Sequence, residues 1–201
     1  MRLIVVTTEN LHSAEANAVN QLFGSGLDTL HLRKPNASEQ QVVTLIEQIV
    51  PAYRNRIVLH DCFGLVQAYG LKGVHLNRRN PVAPNVTGIS VSRSCHSLQE
   101  LEEHEAYSYS FLSPIFNSIS KAGYSQAFIA EELNEAKRRG VINSNTIALG
   151  GISEETIPQA KRYGFGGVAV LGALWGNYES SGDISTLLDR FNRLQNICKQ
   201  L

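Results

Sequence analysis

Short apolar, β-branched runs recur along this 201-residue chain, and most are followed by a stretch with apolar residues at helical spacing. The runs are 3–7 (LIVVT), 29–32 (TLHL), 57–59 (IVL), 73–76 (GVHL), 88–92 (GISVS), 107–112 (YSYSFL), 146–149 (TIAL) and 167–171 (GVAVL). Most of these runs are nearly continuously apolar, which predicts strands of a parallel sheet covered on its outer face. Helices are predicted over 11–23, 38–50, 63–69, 98–104, 127–138, 154–163 and 185–201. Ser38, with Gln41 three residues on, has the form of a capping box. Gly70, Gly140 and Gly164 follow helical stretches, as C-terminal caps do.

One connection breaks the rhythm. Residues 77–85 (NRRNPVAPN) hold two prolines and are too short for a full helix. The pattern therefore predicts an α/β protein, a single (β/α)8 TIM barrel over residues 1–201, with a reduced helix between strands 4 and 5. An open doubly wound sheet would normally show a glycine fingerprint after its first strand. Here that strand runs into Thr7-Thr8-Glu9-Asn10. No linker or low-complexity tract marks a second domain.

Composition narrows the class of partner. Lys+Arg and Asp+Glu both number 18, so the formal net charge is zero. That argues against a general nucleic-acid or anionic-membrane binder. Cys62, Cys95 and Cys198 match no zinc spacing and are expected to be free thiols in a reducing cytoplasm. The apolar run at the start is too short for a signal segment, and no run reaches membrane-spanning length. A soluble cytoplasmic protein is expected. Homo-oligomerisation stays open.

In such a barrel the chemistry sits at the C-terminal ends of the strands. Those ends carry His31, Arg33, Lys34, His60, Asp61, His75, Asn77, Arg78, Asn80, Ser92, Ser94, His96 and Ser113. The ring is rich in cations and hydroxyls and poor in carboxylates, which suits an anion. Gly150-Gly151 after strand 7 and Leu171-Gly172 after strand 8 stand where barrels often bind phosphate. The polar stretch 113–123 carries Ser118, Ser120 and Lys121, a composition suited to a lid over an anion.

Taken in order, HLRK (31–34), HD (60–61), GVHL (73–76), SPIFNSISK (113–121), ALGGI (148–152) and GVAVLGAL (167–174) resemble the thiamine phosphate synthase family, with its relatives the thiazole tautomerases. The resemblance implies a transferase. It would join 4-amino-2-methyl-5-hydroxymethylpyrimidine diphosphate to a thiazole phosphate and release pyrophosphate, with Mg2+ as cofactor. It puts Arg33 and Lys121 on the diphosphate, joined by Ser94. Ser118 and Ser120 would face the thiazole phosphate, with Gly151 and Gly172 in its phosphate loops. Asp61 would be the first Mg2+ carboxylate. Four positions depart from the synthase pattern. His31 replaces a glutamine, Pro35 a lysine, His60 an asparagine and Asn80 the second Mg2+ aspartate. The tautomerase's histidine is Pro114 here, which leaves His31 or His60 as its candidate base. A third alternative is a non-catalytic barrel that binds phosphorylated ligands.

Overall fold

The computed structural model describes residues 1–102, 107–117 and 127–201. Eight strands form a closed, wholly parallel barrel in sequence order: β1 (Arg2–Val6), β2 (Thr29–Leu32), β3 (Ile57–Leu59), β4 (Gly73–Leu76), β5 (Ser90–Cys95), β6 (Tyr109–Leu112), β7 (Thr146–Leu149) and β8 (Gly167–Val170). β1 closes the ring on β8, from Arg2 opposite Gly167 to Val5 opposite Val170. The predicted single (β/α)8 TIM barrel is thus observed.

The helices are α1 (Glu15–Gly24), α2 (Glu39–Gln48), α3 (Leu65–Ala68), α4 (Leu98–Glu102), α5 (Ala130–Arg138), α6 (Ile157–Arg162), α7 (Gly172–Trp175), α8 (Tyr178–Ser181) and α9 (Ile184–Gln200), with a 3₁₀ turn at Pro51–Arg56. Ser38 and Gln41 form the expected capping box at α2. Gly70, Gly140 and Gly164 all take positive φ, the conformation that ends a helix without a Cβ clash. At the C-terminus, Asp183 caps α9 through the Thr186 amide, and Leu187, Phe191, Leu194 and Cys198 bury its inner stripe.

Among the described residues no helix joins β4 to β5. Asn77 and Asn80 instead exchange backbone hydrogen bonds across a tight turn. The fifth strand begins two residues later than its pattern predicts, because Gly88 turns the chain with φ 77°. Gly73 is required where these strands meet: a Cβ there would lie 1.8 Å from the Ser90 carbonyl oxygen.

Alternation along each strand sorts side chains into two layers. Val5, Leu30, Ile57, Val74, Cys95, Leu112, Ala148 and Val168 face the helices. Ile4, Val6, Tyr109, Phe111, Ile147 and Ala169 face the barrel axis. No described helix is long and apolar enough to cross a membrane. Cys62, Cys95 and Cys198 form no disulfide.

Candidate active site

The inward positions of β2, β4 and β5 carry His31, His75, Ser92 and Ser94, and β6 adds Tyr109, where those of β1, β7 and β8 are apolar. His31, on β2, is fully buried, with Nδ1 2.9 Å from His60 Nε2 and Nε2 2.7 Å from the Tyr109 hydroxyl. His75, on β4, bonds Ser92 Oγ at 2.9 Å through Nδ1 and Ser94 Oγ at 2.8 Å through Nε2. Ser92 and Tyr109 are register partners on β5 and β6. The inward layer thus holds two hydrogen-bonded groups, His60–His31–Tyr109 and Ser92–His75–Ser94. Phe111 stacks on His31 at 4.7 Å and roofs His75 at 4.5 Å.

Burial sets the protonation of this core. Desolvation holds the His31 and His60 imidazoles well below their ordinary range, helped by their mutual proximity to His75. It pushes His75 down to about 3 and Tyr109 up to about 12. All four are neutral at physiological pH. The three imidazoles bring ring nitrogens within 4.8 Å of one another, and imidazole is a zinc ligand. The arrangement is wrong for a metal, however. The His60 and His75 rings are stacked 4.3 Å apart at 23°, so their in-plane lone pairs run side by side instead of converging.

Charge gathers at the rim instead. Thr7 Oγ1, at the end of β1, accepts from the Arg33 amide at 3.0 Å and fixes the start of the β2 loop. The Arg33 guanidinium pairs with Glu9 at 2.9 Å. Its neighbour Lys34 turns away from the rim. The Lys34 ammonium is buried 2.6 Å from Glu15 and donates to the Thr8 and Asn10 carbonyls. Lys34 therefore braces the loop that carries Glu9 and presents no charge to a ligand. His96 contacts the Ser113 carbonyl at 3.1 Å.

After β3 the chain turns sharply through Cys62, a non-glycine residue at φ 54°. This leaves Asp61 facing the turn at residues 77–80. Arg79 clamps the Asp61 carboxylate, donating from Nε at 3.2 Å and from Nη2 at 2.9 and 3.2 Å. Asn80 Nδ2 donates to Asp61 Oδ1 at 2.9 Å and to the His60 carbonyl at 3.0 Å. Asn77 pins the turn by donating to the His60 and His75 carbonyls. Arg78 is exposed. Sequence reasoning named Arg78 and missed Arg79. Arg79 is exposed as well, and the only hint lay in the doublet itself, since adjacent side chains in a turn point in different directions.

The donor set at Asp61 and Asn80, the expected Mg2+ site, fits a hard dication poorly. A hard dication takes about six oxygen ligands, several of them carboxylates or water. Here the single carboxylate is already neutralised by a guanidinium. Asn80 offers its NH2 group, not its oxygen, to the same space. His31 lies beneath the rim: both its ring nitrogens are hydrogen-bonded and it has no exposed surface. Its contact toward the rim is His60.

On the opposite side of the mouth, Gly150 and Gly151 take φ 95° and 63°. A Cβ on Gly150 would lie 2.8 Å from Pro114 Cα, and one on Gly151 2.3 Å from the Asn117 carbonyl oxygen. The two glycines thus let residues 114–117 lie flat on the β7 loop. α7 starts at Gly172, and Trp175 Nε1 ties it to the Val6 carbonyl at 2.8 Å. The first amides of a helix have no intrahelical partner and favour an anion. Ser94 points inward from β5, while Arg93 points out against Tyr107. Ser118, Ser120 and Lys121 lie outside the described residues.

The profile of a family described as thiamine monophosphate synthase matches residues 3–174. The chain is 31% identical over 169 residues to a thiamine-phosphate synthase of Photorhabdus laumondii, covering 78% of this chain and 76% of that one. A relative of the same description in Yersinia pestis is 29% identical over 167 residues, covering 78% and 77%. The crystal structure of a thiamine phosphate pyrophosphorylase from Bacteroides thetaiotaomicron superposes with a TM-score of 0.89 at 39% identity, covering 99% of this chain and 98% of that one. The chain belongs to the thiamine monophosphate synthase family.

Proposed function

We propose that this chain is a thiamine-phosphate synthase. It joins 4-amino-2-methyl-5-hydroxymethylpyrimidine diphosphate to a thiazole phosphate and releases pyrophosphate. The observation that carries the reading is a rim with the guanidiniums of Arg33, after β2, and Arg79, after β4, on either side of the β3 end, set over a core whose buried histidines are uncharged. Family membership supplies the reaction.

In this reaction the bond between the pyrimidine methylene carbon and the diphosphate oxygen breaks. Its electron pair leaves with the diphosphate. The thiazole nitrogen then donates its lone pair to the methylene carbon. Positive charge develops on the pyrimidine, and negative charge on the leaving group. Arg33 and Lys121, with Ser94, would stabilise the leaving diphosphate. Ser118, Ser120 and the loop amides at Gly151 and Gly172 would hold the thiazole phosphate. Neutral His60, backed by His31, would not oppose a cation beside it, as an imidazolium would.

The isomerase alternative asks His31 or His60 to work as a base near neutral pH. Their burial holds both well below that range, which disfavours it. The deciding experiment supplies the purified chain with both substrates and follows pyrophosphate and thiamine phosphate together. Equal yields of the two, lost when the thiazole phosphate is omitted, are expected. Absence of thiamine phosphate would overturn the proposal.

A further inference from the structure

The turn at residues 77–80 is more ordered than a surface connection requires. Its ends exchange two backbone hydrogen bonds, at 3.1 and 3.0 Å. Asn77 Oδ1 accepts from the Arg79 amide at 3.0 Å. Asn77 and Asn80 both donate to the His60 carbonyl. The effect is to hold one side chain, Arg79, against one carboxylate, Asp61. The guanidinium uses Nε and Nη2 for that contact. Its Nη1, with two N–H groups, has no partner among the described residues. A guanidinium anchored on one edge and open on another is a preformed oxyanion donor.

Charge balance says what it replaces. A divalent ion held by two carboxylates sums to zero. So does one guanidinium on one carboxylate beside an amide. Exchanging a carboxylate for Asn80 and a dication for Arg79 leaves the local charge unchanged, while the positive end still faces the ligand. β3 lies between β2 and β4 in the barrel, so Arg33 after β2 and Arg79 after β4 stand on either side of the β3 end that carries His60. Two cationic groups on one arc of rim suit an anion with two linked phosphates better than a single one.

We propose that Arg79, seated on Asp61 and Asn80, takes the place of a divalent cation, so that this site binds diphosphate without metal. The proposal rests on the synthase reading for its substrate class, but its test does not need turnover. Inorganic pyrophosphate is titrated calorimetrically into the full chain, once in EDTA and once in excess Mg2+. Binding is expected in EDTA and is no tighter with Mg2+. Arg79→Gln keeps a hydrogen-bonding side chain but removes the charge. It should weaken pyrophosphate by about tenfold or more, the order of a charge-assisted bond. Arg193→Gln, which alters a remote ion pair with Glu154, should leave binding unchanged. In parallel, Mn2+ added at one equivalent should give the electron paramagnetic resonance spectrum of the free ion.

Pyrophosphate binding that appears only with Mg2+, a bound Mn2+ spectrum, or wild-type affinity in Arg79→Gln would each overturn the inference. Pyrophosphate binding in EDTA without thiamine phosphate formation would leave the inference standing and sink the synthase reading. Synthesis that proceeds only with bound metal would do the reverse.

Discussion

The interior of this barrel and its rim solve opposite electrostatic problems with similar residues. Inside, His31, His75, Ser92 and Tyr109 are cut off from water; they are neutral and hydrogen-bonded in pairs, with the three rings packed against Phe111. At the rim, Arg33 and Arg79 keep their charge because each has a carboxylate partner and access to solvent. The adjacent pair Arg33 and Lys34 shows the rule at one step of sequence. The cation that points up meets Glu9 at the mouth. The one that points into the helix layer survives only on Glu15. A charge is tolerated here where it is paired, and it is available to a ligand only where it is also wet. Recognition of an anion therefore falls to the rim, while the core beneath stays uncharged.

The largest way to break this contrast is to unpair the buried ion. Lys34→Met leaves Glu15 without its partner, with side-chain exposure of only 2%. A loss of about 3–5 kcal/mol in urea unfolding is expected. Adding Glu15→Leu should recover most of it, since the pair as a whole contributes far less than its breakage costs. Next, His75→Phe strips the Ser94 hydroxyl of its described partner, and a loss of about 1–3 kcal/mol follows.

Acid sharpens the same point. His75 titrates at 6.5 when unfolded and at about 3 when folded, so the unfolded chain binds the extra proton between those values. Stability should fall as pH drops from about 6.5 towards 3, with His75 contributing on the order of 1.4 kcal/mol per pH unit. His31 and His60 add slope of the same sign. Unfolding followed over this range should be less steep in His75→Phe. The smallest effect belongs to the rim. Arg79→Gln should change stability by less than about 1 kcal/mol, because its ion pair is 43% exposed on the arginine side and screened.

Much of the fold was legible because its signals are local. A three-residue run such as Ile57–Leu59, the Ser38 capping box and the two prolines of the 77–85 stretch each act on their own neighbourhood. The late start of β5 was not visible, since it depends on the φ that Gly88 adopts. The site was legible as a set of strand ends and less so as a set of contacts. His60, Asp61 and Asn80 do come together. Yet nothing in HLRK says that Arg33 stays at the mouth while Lys34 dives beneath it. Nor does NRRN say which arginine meets Asp61. Those choices are made by tertiary closure, where Glu15 and Asp61 arrive from other units of the barrel.

The central claim is that diphosphate departs at the rim, and kcat/KM for thiamine phosphate formation in wild type and Arg33→Ala tests it most directly. Removing one donor to a developing anion typically costs about 10²–10³-fold. A loss of that order, with unfolding midpoints alike, is the predicted result. Equal kcat/KM in the two proteins, or no thiamine phosphate from wild type, would contradict the account.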